Sequence, residues 1–343
     1  MSKYTVAIGG VGLVVLLVGA ILISGKKEVP VVTSLAQVQE VTMGAVLSLT
    51  GAAANDGNDI KNGIDLAVSE LKKRGTVVHV DYQDDATDPK KTISALELLK
   101  ARDISTVVGL TWGYIASAAI PTVNKENITI FSPANSSDIV AGASTTNRIY
   151  YGAVNNYKKI EPTTAWLASV RATNLALIAT QDAWGSAHTD VWSQASLKAG
   201  ARVVYTETIP YGSEADVMPV AIHKIKKQKA DAILWTGTEA GAIVFLKELE
   251  RQNIHIPVLG TNYIRIAIVD GKVANPGMVS SIESPATADF EQRFKKAYGL
   301  SPSVYAESAY RMTYQIAEKQ DLVSSYDAKG DTFGGQWVVA GVR

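Results

Sequence analysis

The chain has 343 residues, with 33 Lys or Arg against 33 Asp or Glu, and no cysteine. At roughly 150 residues per domain this length allows about two domains, and the balanced charge excludes the basic surface with which a nucleic-acid binder displaces counterions. Without cysteine there are no disulfides, no thiolate metal sites and no cysteine nucleophile.

From Tyr4 to Gly25 no residue is charged. The apolar run there is about 20 residues long, enough to span a bilayer as a helix. Lys26 stands where a lipoprotein signal requires a lipidated cysteine. Residues 1–25 are expected to be an N-terminal transmembrane helix, either an uncleaved anchor or a signal segment removed on export. Residues 26–40 read as a tether.

Short β-rich runs then alternate with helical patterns. A strand is expected over 41–49 and a helix near 57–73, where Ile60, Ile64, Ala67, Val68 and Leu71 recur at helical spacing. A strand over 76–82 precedes a helix at 89–101, opened by Asp88 as N-cap and Pro89 at the first helical position. A strand at 105–110, a helix near 114–124 and a strand at 128–133 continue the series. The second half repeats it, with strands at 174–180, 201–209, 231–237 and 257–260 and helices at 186–199, 216–228 and 239–252. Helices near 286–298 and 303–320 and a strand at 334–342 close the chain.

This alternation implies an α/β fold with parallel sheets covered on both faces. Two such series imply two doubly wound parallel-sheet lobes. Ligands bind beyond the carboxyl ends of strands in open sheets of this kind. The informative segments are therefore 48–56, 109–114, 132–138, 181–186, 235–239 and 260–264.

The sequence offers little for catalysis. His79, His188, His223 and His255 form no paired ligand motif, and no nucleophile elbow or phosphate loop follows a strand. The aspartates 81, 84, 85 and 88 lack the spacing of a calcium loop and fit a strand end and a helix cap better. No enzyme activity, cofactor or metal is expected.

Several blocks, in order, carry a resemblance. They are residues 43–71 (MGAVLSLTGAAANDGNDIKNGIDLAVSEL), 81–99, 107–139 (with TWGY and SPANSSD), 180–187 (TQDAWGSA), 226–237 and 257–262 (PVLGTN). Together they resemble the branched-chain amino-acid type of ABC-transporter solute-binding protein. The resemblance implies a type I periplasmic-binding fold, with a ligand cleft between two lobes joined by three crossovers. Lobe 1 is expected over 41–156 with about 283–322, and lobe 2 over 157–282 with about 323–343. It also implies a body outside the cytoplasmic membrane, held there by the N-terminal helix or exported after cleavage. A monomer is expected. Its partners are then a small solute, a membrane permease and separate ATPase subunits.

The resemblance also implies site residues. Ala134 and Ser136 match the loop that offers backbone and hydroxyl contacts to the ligand. Gly113 falls where the family usually has a serine, and Trp184 where it has a tyrosine. Asn262 stands where an acid often pairs with the ligand ammonium, and Thr238 replaces a frequent tyrosine. Asp56 or Glu239, both at strand ends, are candidates for the missing negative charge; otherwise the ligand is less cationic, such as an amide or a carboxylate. Trp112, Tyr114 and Trp184 are candidates for an aromatic box, although Trp112 and Tyr114 could equally pack inside a lobe. Near the C-terminus the family usually has a further helical stretch that this chain lacks. The competing function is a membrane-anchored ligand sensor that signals through a partner.

Overall fold

The computed structural model describes residues 39–269, 271–320, 325–332 and 335–342. The expected anchor at 1–25 and nearly all of the tether lie outside the described residues. Among the described residues no helix is long and apolar enough to cross a membrane.

The first sheet is built from β1 (Gln39–Leu47), β2 (Thr76–Asp84), β3 (Thr106–Gly109), β4 (Thr129–Ser132) and β5 (Ile149–Tyr151). Its order is β2-β1-β3-β4-β5, with every pairing parallel. Both faces are buried, and β1 shows why its sequence is apolar almost throughout. Met43, Ala45 and Leu47 point to one face, against Ile60, Ile64 and Leu71 of α1 (Ala54–Lys73) and Met312 of α10 (Val304–Ala317). Val46 points to the other, against Leu96 and Leu99 of α2 (Pro89–Ala101) and the Ile115 and Ala119 face of α3 (Gly113–Glu126). Each fully buried Leu or Ile here contributes about 1.5–3 kcal/mol.

α1 and α10 approach closely at Gly63. A Cβ there would lie 2.1 Å from the Ala306 carbonyl oxygen, so only glycine fits. α9 (Ala288–Tyr298) joins the same layer through Phe290 and Phe294.

The second sheet contains β6 (Asn174–Thr180), β7 (Arg202–Ile209), β8 (Ala232–Trp235), β9 (Val258–Thr261), β10 (Val279–Glu283) and β11 (Val338–Gly341). The order is β11-β10-β9-β8-β6-β7. One face packs on α6 (Glu214–Lys227), α7 (Glu239–Arg251) and α8 (Asn262–Val269), and the other on α4 (Ile160–Ser169) and α5 (Ala183–Lys198).

Three features depart from the expected pattern. β11 is antiparallel to β10, so the second sheet is not wholly parallel. Helices α4 and α8 and strands β5 and β10 have no counterpart among the expected elements. β5 is only three residues long, and α8 begins directly after β9, so neither leaves a full period in the sequence. The last passage between sheets also comes late. Tyr326 packs in the core of the first lobe and Asp331 bridges to Tyr151, so the chain leaves this lobe only after Thr332, not near 323. The other passages follow Tyr151 and Glu283.

Candidate functional site

The strands of both sheets end at a common cleft, and the turns after them are fixed by polar contacts. After β1, Asp84 accepts from the backbone of Leu49, Thr50 and Ala86, while Asp85 accepts from the Ser48 hydroxyl at 2.6 Å. These carboxylates tie the loop that starts α1 to the end of β2. They form a brace, in keeping with the reading of this acidic group as a strand end and a cap.

After β3, Leu110 adopts a left-handed conformation, φ 65°, which is costly for a branched side chain. Two contacts hold it there. Its N–H donates to Val46 O, and its carbonyl accepts from Asn135 Nδ2 at 2.5 Å. The bend turns Trp112 into the cleft and starts α3 at Gly113.

An aromatic chamber lies between the lobes. Trp112, Gly113, Tyr114, Ala134, Asn135 and Ile139 line it from the first lobe, with Tyr305 from the start of α10. Asp182, Trp184, Tyr211, Thr238 and Tyr263 line it from the second. Trp112 stacks on Tyr211 with ring centres 6.0 Å apart and planes at 17°, and meets Tyr114 edge-on at 6.2 Å. Trp184 and Tyr263 meet at 88°. Trp112 and Trp184 also rest on the apolar core of the first lobe, so the box is partly an extension of that core.

Asp56, at the start of α1, sits where the two lobes meet. Its Oδ2 accepts from Trp112 Nε1 at 2.9 Å and from the Tyr263 hydroxyl at 2.6 Å. Burial raises its pKa, the two hydrogen bonds offset part of that, and the nearby Glu239 adds to the rise. Asp182 is equally engaged. It caps α5 through Gly185 N and accepts from Thr180 and from Tyr211.

A second, more polar pocket adjoins the chamber toward the passages between lobes. Ser136, Asn156, Lys159, Thr261, Asn262, Ser284 and Trp337 line it, and Ala134, Trp184 and Tyr305 are shared with the chamber. The Ser136 and Thr261 hydroxyls are buried without a hydrogen-bond partner, as is Asn135 Oδ1 in the chamber.

The sequence-derived candidates therefore separate. Trp112, Gly113, Tyr114, Ala134, Trp184 and Thr238 line the chamber; Ser136 and Asn262 line the polar pocket. Asp56 reaches the chamber through its two donors. Glu239 lines neither cavity and is ion-paired with Lys272, which leaves it poorly suited to supply a ligand's counter-charge. Thr238 caps α7 by accepting from Gly241 N, so its hydroxyl is partly committed. Gly113 is enforced locally, because a Cβ there would lie 2.7 Å from Ile139 O.

Sequence reasoning missed Lys159, Asp182, Tyr211, Thr261, Tyr263 and Tyr305. Asp182, Thr261 and Tyr263 lie inside the strand-end segments already singled out. Tyr211 follows β7, an end that was passed over. Lys159 and Tyr305 follow no strand directly, and only the tertiary structure brings them in.

Comparison with known proteins agrees with this geometry. The sequence profile of the periplasmic binding protein family matches residues 40–318. A Leu/Ile/Val-binding protein homolog 3 of Brucella melitensis is 23% identical over 64% of this chain, and the match spans 61% of that relative. A Leu/Ile/Val-binding protein homolog 2 of Brucella abortus is 22% identical over 85% of this chain and 79% of the relative. Among solved structures, the substrate-binding protein LivJ of Streptococcus pneumoniae, in complex with isoleucine, superposes with a TM-score of 0.73 at 17% identity, covering 88% of this chain and all of that one. A solute-binding protein of Rhodopseudomonas palustris, in complex with 3,4-dihydroxybenzoic acid, superposes with a TM-score of 0.69 at 19% identity, covering 81% and 80%. With the profile matched over most of its length, the chain belongs to the periplasmic binding protein family.

Proposed function

We propose that this protein is the extracytoplasmic solute receptor of an ABC importer. It captures one small amino-acid-like or amide-like solute between its lobes and delivers it to a membrane permease. The observation that carries this reading is the chamber itself. Both sheets contribute to it at the carboxyl ends of their strands, where open α/β sheets bind ligands. Apolar walls with a few convergent polar groups are the usual make-up of a small-molecule site.

Closure follows from the same arrangement. Trp112 and Asp56 belong to one lobe, and Tyr211, Trp184 and Tyr263 to the other. A solute touching both sets binds the closed form better than the open one and shifts the population toward it. Relatives of this fold hold an aliphatic amino acid in one case and an aromatic acid in another, so the size class fits while the chemical class stays a property of each chamber. The apolar run at 4–25 is assigned to holding the receptor at the outer face of the membrane.

The test is a thermal-shift screen of the full chain in mild detergent against amino acids, amides, short-chain and aromatic acids, and urea-like solutes. A solute at a hundredfold excess over its Kd stabilises the folded state by about 2.7 kcal/mol. Its binding should also change the emission of Trp112 and Trp184. Silence across the whole panel in both signals overturns the receptor reading.

A further inference from the structure

The polar pocket holds a buried lysine with no carboxylate in ion-pair contact among the described residues. Lys159 is 3% exposed and lies just before α4. Among the described residues no carboxylate comes within ion-pair distance of it. Its Nζ has two contacts, His188 Nε2 at 2.5 Å and the face of Trp337 at 3.9 Å.

The histidine contact can be oriented. His188 Nδ1 lies 2.9 Å from the Trp184 carbonyl, which can only accept. The imidazole proton is therefore on Nδ1, and Nε2 takes a hydrogen from Lys159. His188 is buried and held neutral, with its pKa well below the usual value through burial and the adjacent lysine. A buried ammonium with only a neutral acceptor and a ring face is expensive unless an anion completes it.

A second observation points the same way. The Ser136 and Thr261 hydroxyls, 1% and 2% exposed, line this pocket from opposite lobes and have no partner. Two hydroxyls without a partner, beside a cation whose acceptor is a neutral imidazole, make a donor set with no anion. On the other side, the carboxylates at the chamber already have donors: Asp56 from Trp112 and Tyr263, and Asp182 from Gly185 and Tyr211.

We propose that the polar pocket is a carboxylate subsite in which Lys159 supplies the charge and the Ser136 and Thr261 hydroxyls donate, so that the solute is an organic acid whose body lies in the aromatic chamber. This rests on the solute-receptor reading and names the class of solute. The lysine then does for this receptor what a charged partner must do in any enclosed site, because a charge-assisted hydrogen bond is roughly twice as strong as a neutral one. Its neighbours also make it pH-sensitive. Burial pulls its pKa down to about 7, and Asp138, whose carboxylate is held by Asn156, offsets this in part. His188 stays neutral and Trp337 carries no charge. The empty site therefore loses its cation as the pH rises past about 7.

The test compares matched acids and amides by titration calorimetry on the full chain in mild detergent: benzoate with benzamide, 4-hydroxyphenylacetate with its amide, and isoleucine with isoleucinamide. At pH 6 we expect the acid to bind at least tenfold tighter than its amide in every pair that binds. The preference should shrink as the pH is raised to 8.5. Lys159→Met should reduce it to less than threefold and abolish its pH dependence, while the variant keeps or gains thermal stability. If Lys159→Met does not fold, Thr261→Val should weaken the acids about tenfold and leave the amides unchanged. Equal binding of acid and amide by the wild type, or a preference that survives Lys159→Met, overturns the subsite and leaves the receptor reading standing. Absence of binding by any pair, together with silence in the wider screen, overturns both.

Discussion

The Tyr263 hydroxyl donates to Asp56 Oδ2 at 2.6 Å, and this hydrogen bond joins the helix after β9 to the first helix of the other lobe. It is one of the contacts by which the lobes meet. A typical intramolecular hydrogen bond contributes about 0.5–1.5 kcal/mol net. Tyr263→Phe should therefore move the unliganded protein toward an open form, seen as a larger radius of gyration in solution scattering. A radius unchanged by the substitution counts against the contact as a latch.

Placing at position 113 the serine that the sequence resemblance implies for the family should be harmful here. In Gly113→Ser the new Cβ meets the Ile139 carbonyl at 2.7 Å, and backbone cannot yield as a flexible side chain does. Overpacking of this kind costs about 1–3 kcal/mol. The urea midpoint should fall and solute affinity with it. A variant as stable as the wild type, with tighter binding, would show that the loop after β4 gives way.

Gly63→Ala should be worse than an ordinary surface-helix substitution, although alanine is the better helix former. Its Cβ would lie 2.1 Å from Ala306 O, so α1 and α10 would have to separate. A loss of about 3 kcal/mol is expected, read as a lowered thermal midpoint. Solute selectivity should be unaffected, since neither residue lines the chamber.

Asp59 gives the protein a pH dependence of known sign. Its carboxylate accepts from Ser303 N at 2.7 Å at the start of α10, and burial raises its pKa to about 6, partly offset by that bond. The folded state thus holds a proton that the unfolded state, at 3.8, has released. Stability from this group falls as the pH rises from about 4 to about 6, and is restored on acidification. At about 1.4 kcal/mol per pH unit, the effect is at most about 3 kcal/mol, and solvent screening reduces it. Asp59→Asn should flatten the slope of the urea midpoint over that range. An unchanged slope assigns it to other carboxyls.

The α/β architecture was legible because both sheets are buried on two faces. Runs such as the Met43–Leu47 stretch of β1 and the Ile60–Leu71 face of α1 announce themselves by period alone. The strand-end rule then marked the segments, and the family resemblance named Ala134, Ser136, Trp184, Thr238 and Asn262 within them, all of which line one of the two cavities. It could not tell that Glu239 would be taken by Lys272, because their pairing depends on where the segment after α8 returns. Nor could it find Lys159. A lysine before a short helix reads as solvated in any sequence, and its burial depends on His188 and Trp337, which are brought to it from other parts of the chain. The antiparallel β11 was hidden for a related reason, since its four residues carry no mark of strand direction.

The late return of the chain bears on how the protein is made. The first lobe lacks α10 and the Tyr326–Thr332 segment until these have been synthesised, and the second lacks its edge strand until Val338–Gly341 follows. Ser137 waits for Asp331 to fix the loop after β4, a separation of 194 residues. Contacts so distant in sequence form slowly, because loop closure must come before any gain from the contact. A ribosome-bound chain stopped before Asp331 should therefore remain sensitive to protease along most of its length, and acquire resistance in both lobes only once Tyr326–Thr332 and Val338–Gly341 have emerged.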